Sequence, residues 1–445
     1  MKLGKPKLFV AFAFTVMADP VSSVAYAIEA ALAALDGRLE GLLLTMAIVI
    51  SIIAVVSAGY HQLIGRFPGG GGGAEALAAA FGEGWAFLPV GALIVDFTLT
   101  IAVSCAAASS ALVAWQSGLG ESAALLAIGL ATAVAGGSLL GHRGRQAFAA
   151  ATLTFVGLAV VVIGMSLGAD AAPGGRPPIV SDAPLGAALL AVPLGMALAT
   201  GVEAPSNAIA QLGQLDDGER RRLGRATIWT MVAIVGTLTL GLAVAAVRLN
   251  VGSPPDDSTL LAEIARRATG GGLLFALFQA ASALLLLAAA ASSFLAGSGL
   301  LKALALHRRG DEDGLLPRPF ARTNRWFAPQ WGIVVLLVVS VGLLAASGGN
   351  EQALVDFYAV AVFASFLGAL SGAAWLARRD RNYRWLAIDL VGIAAVLFVL
   401  GANLDRIDAL VSLGASALVS GYLYAAWVVR GRPGGVSSAV RASGA

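Results

Sequence analysis

The chain has 445 residues, 58% hydrophobic and 12% charged, with a mean hydropathy of +0.83 and a formal net charge of +3. Soluble domains carry roughly 45–50% apolar residues, so the composition excludes a soluble globular protein and indicates an integral membrane protein. The single cysteine, Cys105, excludes an intramolecular disulfide, and with three histidines it offers too few ligands for a structural zinc site.

A run of about 20 apolar residues crosses a ~30 Å hydrocarbon layer. Such runs recur near 8–35, 42–63, 86–114, 121–141, 146–168, 184–213, 226–247, 270–304, 326–347, 353–376, 385–402 and 408–428, twelve predicted spans in all. The first run is too long for a signal peptide and shows no small-residue cleavage site, so it is expected to remain as helix 1. It contains "ADPVSSVAY" (18–26), with Asp19 and Pro20 where a membrane helix should be uniformly apolar. After the second span, "RFPGGGGGAEAL" lacks the Gly-Lys-Ser/Thr of a phosphate loop and reads as a flexible turn followed by a short Ala-rich helix. The third span holds "LIVDFTLTIAVS", which puts Asp96, Thr100 and Ser104 on one helix face. The sixth opens on "TGVEAPSN", with Thr200, Gly201, Glu203 and Pro205. The stretches around 170–184 and 307–325 read as polar linkers, and 431–445 as a short basic tail. The expected organisation is one transmembrane domain over 1–430: helices 1–5 in 8–168, helices 6–10 in 184–376 and helices 11–12 in 385–428.

The basic residues test this count, because cytoplasmic loops concentrate Lys and Arg. With both termini inside, 23 of 29 basic residues fall on the cytoplasmic side, and one missed span would scramble that asymmetry. The net charge therefore reflects topology in a cell membrane and gives no reason to expect a nucleic-acid partner. Trp85, Trp115, Trp326 and Trp385 fall near span ends, where interfacial aromatics belong.

Helices 1 and 6 correspond if the chain is an inverted repeat of two five-helix halves. Laid together, "DPVSS" and "EAPSN" put acid over acid and Ser22 over Ser206, with a proline in each. Proline removes an N–H and clashes with the carbonyl four residues back. Both stretches are therefore expected to open, with their freed backbone groups facing protein or a water-filled cavity. Intramembrane acids mark transport pathways, which singles out Asp19, Asp96 and Glu203. Glu29, Asp356 and Asp389 lie near span ends and read as solvated anchors or gate residues. No nucleophile–base pair, metal cluster or cofactor motif stands in the spans, so a carrier is expected rather than an enzyme, and no cofactor is needed.

The stretches "ADPVSSVAYAIEA", "YHQLIGRFPGGGG", "LIVDFTLTIAVS", "GHRGR" and "ATGVEAPSN" resemble the amino acid–polyamine–organocation superfamily, nearest to its branch of KimA-type potassium–proton importers. The resemblance covers roughly 8–428 and implies an all-α, LeuT-type fold with a 5+5 inverted repeat, broken helices 1 and 6, and alternating access around a mid-membrane site. Cation-site or coupling positions of that branch match Asp19, Tyr26, Asp96, Thr100, Thr200, Glu203 and Tyr358. Phe97 departs from it, standing where the branch has a tyrosine, and the branch's large cytoplasmic domain has no counterpart in the sequence. Asp19, Ser22, Ser23, Tyr26, Asp96, Phe97, Thr100, Thr200, Gly201 and Tyr358 are the candidate substrate contacts, and a monovalent cation could sit at Asp19 and Thr200. Buried together, three carboxylates resist full ionisation, so proton coupling is expected through Glu203 or Asp96. The cargo reads as an amino acid or amine, with potassium as the alternative, since Phe97 lacks a coordinating hydroxyl.

Overall fold

The computed structural model describes residues 5–141, 145–170, 185–306 and 314–433, with the side chains of 5–6, 145–146 and 358–360 set aside. The stretch 171–184, parts of "GHRGR" and of the 307–325 linker, the tail beyond 433 and the Tyr358 side chain thus lie outside the described residues.

The described chain is all-helical. It begins with α1 (Lys5–Val16), α2 (Ala18–Ser22) and α3 (Val24–Ala34), separated only by Met17 and Ser23. Then come α4 (Leu42–Arg66), α5 (Gly72–Phe81), α6 (Phe87–Trp115), α7 (Ala123–Ser138) and α8 (Arg145–Ser166). The chain continues through α9 (Leu185–Gly195), α10 (Ala204–Ala208), α11 (Asp217–Leu249), α12 (Leu260–Thr269) and α13 (Gly272–Leu306). It ends with α14 (Gln330–Ala346), α15 (Glu351–Arg379), α16 (Tyr383–Ala402) and α17 (Ile407–Val429). Among the described residues ten helical stretches are long and apolar enough to cross a membrane, and α14 and the two parts of helix 1 are shorter apolar helices.

Nearly all these helices are apolar all round, and they differ widely in how deeply they are buried. The most apolar part of α6 is 78% buried and that of α15 73%, against 22% for α8 and α16. Small side chains let backbones approach closely, and α6 carries "SCAAASSA" where it packs along α13. A Cβ on Gly297 of α13 would lie 3.2 Å from Phe97 of α6. Polar cross-links fix the register: Gln279 Nε2 donates to the Ala111 carbonyl (3.0 Å) and Ser340 Oγ to that of Thr98 (3.0 Å).

The two ends of the bundle differ. One is laced by basic residues: Arg66 pairs with Asp380 at 2.6 Å, Arg220 donates to the Pro68 carbonyl and Arg225 to that of His61. The opposite end carries α12, which the span pattern does not reveal because its ten residues are amphipathic and include Glu263, Arg266 and Arg267. Thr259 caps it by accepting from the Ala262 N–H (3.2 Å), and Gly270 at φ +70° ends it.

Two expectations need correction. The "PGGGG" turn is tightly packed: a Cβ on Gly72 would lie 2.2 Å from Ser206 Oγ, and one on Gly70 3.1 Å from the Asn207 carbonyl oxygen. Asp389 is no solvated anchor but fully buried, accepting from Gln62 Nε2 at 2.8 Å where α16 crosses α4. Gly59 and Gly392 leave room for that crossing.

Candidate functional site

The site forms where helix 1 meets helix 6, and the two behave differently. Helix 1 was expected to open at 19–23, yet its helical bonds persist: the Val21 N–H donates to Met17 (3.0 Å), Ser23 to Asp19 (3.2 Å) and Ala27 to Ser23 (2.9 Å). The reason lies in where Pro20 stands. It occupies the first turn of α2, where proline is tolerated because few intrahelical N–H bonds are lost. The nearby carbonyls are also served by side chains: Ser22 Oγ donates to the Asp19 carbonyl (2.7 Å) and Ser23 Oγ to that of Pro20 (3.1 Å). Helix 1 is therefore distorted at Met17 and Ser23 and remains helical between them.

Helix 6 is interrupted. After α9 and a 3-10 turn at Met196–Ala199, Thr200 is extended (φ −63°, ψ 141°) and Gly201 left-handed (φ +74°), before α10 starts at Ala204. Pro193 lies inside α9 two residues before its end, Gly201 turns the chain, and Pro205, again in a first helical turn, restarts the helix. Gly201 also permits close approach, since a Cβ there would stand 2.7 Å from Pro20 Cδ and 2.9 Å from Asp19 Oδ2. Ser23 Oγ and Thr200 Oγ1 are 3.1 Å apart and link the two helices directly.

Around this contact the structure gathers the predicted acids. Asp19, Asp96 and Glu203 are all buried, and Asp96 lies within Coulombic reach of both Glu203 and Asp19. Asp19 Oδ1, both carboxylate oxygens of Asp96 and Glu203 Oε2 have no hydrogen-bond partner among the described residues. Glu203 lies against its own backbone N–H and, as the residue before α10, makes no side-chain capping bond to that helix. Thr100 and Tyr26 are fully buried, as is Ser104, whose hydroxyl has no partner among the described residues. Phe97 packs against Gly297 and joins an apolar cluster with Phe87 and Leu300.

Among the described residues no Lys or Arg is paired with Asp19, Asp96 or Glu203. Burying an unpaired charge costs far more than burying a paired one. The arrangement is therefore complementary to positive charge, whether protons or a cationic cargo.

A model of the family described as amino acid permease matches residues 8–404. The chain belongs to the amino acid permease family. This permease is 26% identical to the potassium transporter KimA of Bacillus subtilis (strain 168) over 400 residues, which are 85% of this chain and 63% of KimA. It thus spans less than two thirds of that relative's length. Its fold is similar to solved structures of the Eremococcus coleocola manganese transporter, one a histidine-to-alanine mutant and one in complex with an aromatic bis-isothiourea substituted compound. For each the TM-score is 0.54, with 15% identity over 97% of this chain and 98% of the other. The permease is thus a multi-pass membrane protein with a transporter fold.

One residue of the permease's site escapes sequence reasoning. Tyr60, near the basic end of α4, is buried, bonds the Ser365 side chain and stands within Coulombic reach of Glu203 and Asp96. A tyrosine inside a predicted span was its only signal, and that type is equally common at interfaces.

Proposed function

We propose that the permease is a proton-coupled secondary transporter that imports a small cation bearing no carboxylate, with potassium as the foremost cargo. The reading assigns it twelve spans in a LeuT-type arrangement within the cell membrane, with both termini cytoplasmic as the basic loops suggest. It takes Asp19, Ser23 and Thr200 as the oxygen-rich cargo site, and Glu203 and Asp96 as the proton-binding pair.

One observation carries the choice of cargo. Three carboxylates converge on one buried contact, and among the described residues no basic side chain is paired to them. A zwitterionic amino acid needs donors for its own carboxylate, and this arrangement would repel it. A bare cation needs only oxygens. KimA, a potassium transporter, points the same way. The sequence alone favours an amino acid or amine because of Phe97, but that ring packs against α13, so its missing hydroxyl weighs less. An organic amine is the second reading, favoured by the same unpaired acids.

Reconstituted protein tests this. Liposomes with an acidic exterior should accumulate a rubidium tracer, and potassium should compete more strongly than a diamine or a neutral amino acid. Glu203→Gln should retain exchange and lose accumulation. Amino acid uptake indifferent to potassium would overturn the cargo, and uptake driven by sodium alone would overturn the coupling.

A further inference from the structure

A buried polar pair holds α16 against α4, away from the carboxylates of the candidate site. α16 packs mainly on α15, α4 and α9, and none of these carries Asp19, Asp96 or Glu203. Gln62 of α4 is 5% exposed and Asp389 of α16 0%. Gln62 Nε2 donates to Asp389 Oδ2 at 2.8 Å, which joins two planar groups that each have one more oxygen to satisfy.

Those remaining oxygens do not balance. Asp389 Oδ1 and Gln62 Oε1 are both buried and have no partner among the described residues. A carboxylate oxygen and an amide oxygen are acceptors only, so neither can serve the other. Turning the amide over would set Oε1 against Oδ2 at the same 2.8 Å, and two oxygens at that distance need a hydrogen between them. The surroundings offer no other donor. A Cβ on Gly59 would lie 3.4 Å from Asp389 Oδ1 and 2.3 Å from Leu370 Cδ2. Oδ1 therefore faces the middle of α4, where N–H groups are spent on helical bonds, and the gap is too tight for a water.

The titratable and charged groups of the packed elements are engaged elsewhere. On α4, Arg66 is within Coulombic reach of Asp389 but pairs with Asp380 at 2.6 Å, His61 Nδ1 accepts from Trp229 Nε1 (3.1 Å), and Tyr60 bonds the Ser365 side chain. On α15, Arg379 lies over Trp375 and beside Asp380, Arg378 is exposed, and Glu351, Asp356 and Tyr358 belong to the far end of the helix. α16 itself adds Tyr383 and Arg384, both exposed, and α9 has no titratable side chain.

A charged Asp389 would thus sit in the protein interior with one neutral donor, an expensive arrangement. A proton removes the charge and supplies the donor that is missing. We propose that Asp389 is protonated at Oδ1 and donates to Gln62 Oε1 while accepting from Nε2 at Oδ2, closing an acid–amide ring that clasps α16 to α4. This proton site is distinct from Asp19, Asp96 and Glu203, and losing its proton leaves a buried charge that loosens the crossing. It stands whether or not the transport reading holds.

Infrared spectra of the purified full-length protein in liposomes without cargo, recorded near pH 6, test the site, because a solvated aspartate is almost fully ionised there. The wild-type minus Asp389→Asn difference should contain one protonated-carboxyl band. Asparagine presents the same donor and acceptor as the protonated acid, so this variant should fold. Gln62→Leu should shift the band to higher frequency, since the carboxyl loses both of its bonds, and this shift carries the test should Asp389→Asn fail to fold. A carboxylate band in the Asp389→Asn difference would overturn the proposal, as would a protonated-carboxyl region that Gln62→Leu leaves unchanged. Glu203→Gln should keep the band; its loss there would assign the proton to the candidate site and overturn the proposal as well.

Discussion

Gly201→Ala isolates the contact on which the site depends. The residue sits at φ +74°, and a left-handed backbone costs an L-residue about 1–2 kcal/mol. The new Cβ would also stand 2.7 Å from Pro20 Cδ and 3.1 Å from Asp19 Cγ, distances that require helices 1 and 6 to separate. Overpacking of this kind adds about 1–3 kcal/mol, giving a total of about 2–5 kcal/mol. Asp19 is the group displaced, so cargo uptake should fall along with stability. Gly129→Ala in α7 is the control: its Cβ would meet nothing within 4 Å. Alanine in a helix interior gains up to about 1 kcal/mol over glycine, so this variant should unfold no earlier than wild type. Thermal unfolding in detergent and rubidium uptake in liposomes read both effects. Gly201→Ala protein matching wild type in both would refute the argument that Gly201 exists for close approach.

Other substitutions probe the supporting structure. Gln62→Ala leaves the buried Asp389 without its 2.8 Å donor and should cost about 1–3 kcal/mol in unfolding free energy, while Gln62→Leu with Asp389→Leu should recover most of it. At the basic end, the Arg66 hydrogen bond, opposed by a smaller desolvation effect, holds the Asp380 carboxyl below the usual carboxylate range. A lowered folded value gives stability that is present at neutral pH and disappears only as acid protonates the carboxylate, below about pH 4. The bridge is largely solvated, so Asp380→Asn should cost no more than ~1 kcal/mol, with no change in stability between pH 8 and pH 5 relative to wild type. Phe97→Tyr should leave potassium affinity unchanged, because the ring packs on α13; a strong gain would place its edge in the cargo site.

Span positions were legible because a membrane imposes length and apolarity on nearly every residue between two loops. The acids were legible for the converse reason: in such a segment each charge is an exception. What escaped was decided by packing between segments distant in sequence. Nothing local distinguishes Asp389, bonded across the bundle to Gln62, from a solvated helix-end acid. The glycine run reads as loose until Ser206 and Asn207 are seen to fill the space its missing side chains leave. Helix α12 escaped because ten amphipathic residues between spans look like a loop.

The contrast between helices 1 and 6 bears on why the chain tolerates a polar patch at mid-membrane. Pro20 and Pro205 each stand in a first turn and so restart a helix, while Pro193 lies inside α9, two residues before its end. The opening of helix 6 comes at extended Thr200 and left-handed Gly201, and helix 1 stays helical with its serines bonded to the Asp19 and Pro20 carbonyls. Asp19 is therefore presented by a continuous run of helical bonds, while Thr200 and Gly201 lie where the helix is interrupted. Thr200 Oγ1 on the interrupted side and the unpartnered Asp19 Oδ1 on the helical side offer a cation oxygens from two elements at once, and a ligand held between two elements favours the state in which they touch. On the proposed reading, positive charge offsets the expense of burying Asp19, and cargo or proton binding is thereby coupled to closure of helix 1 on helix 6.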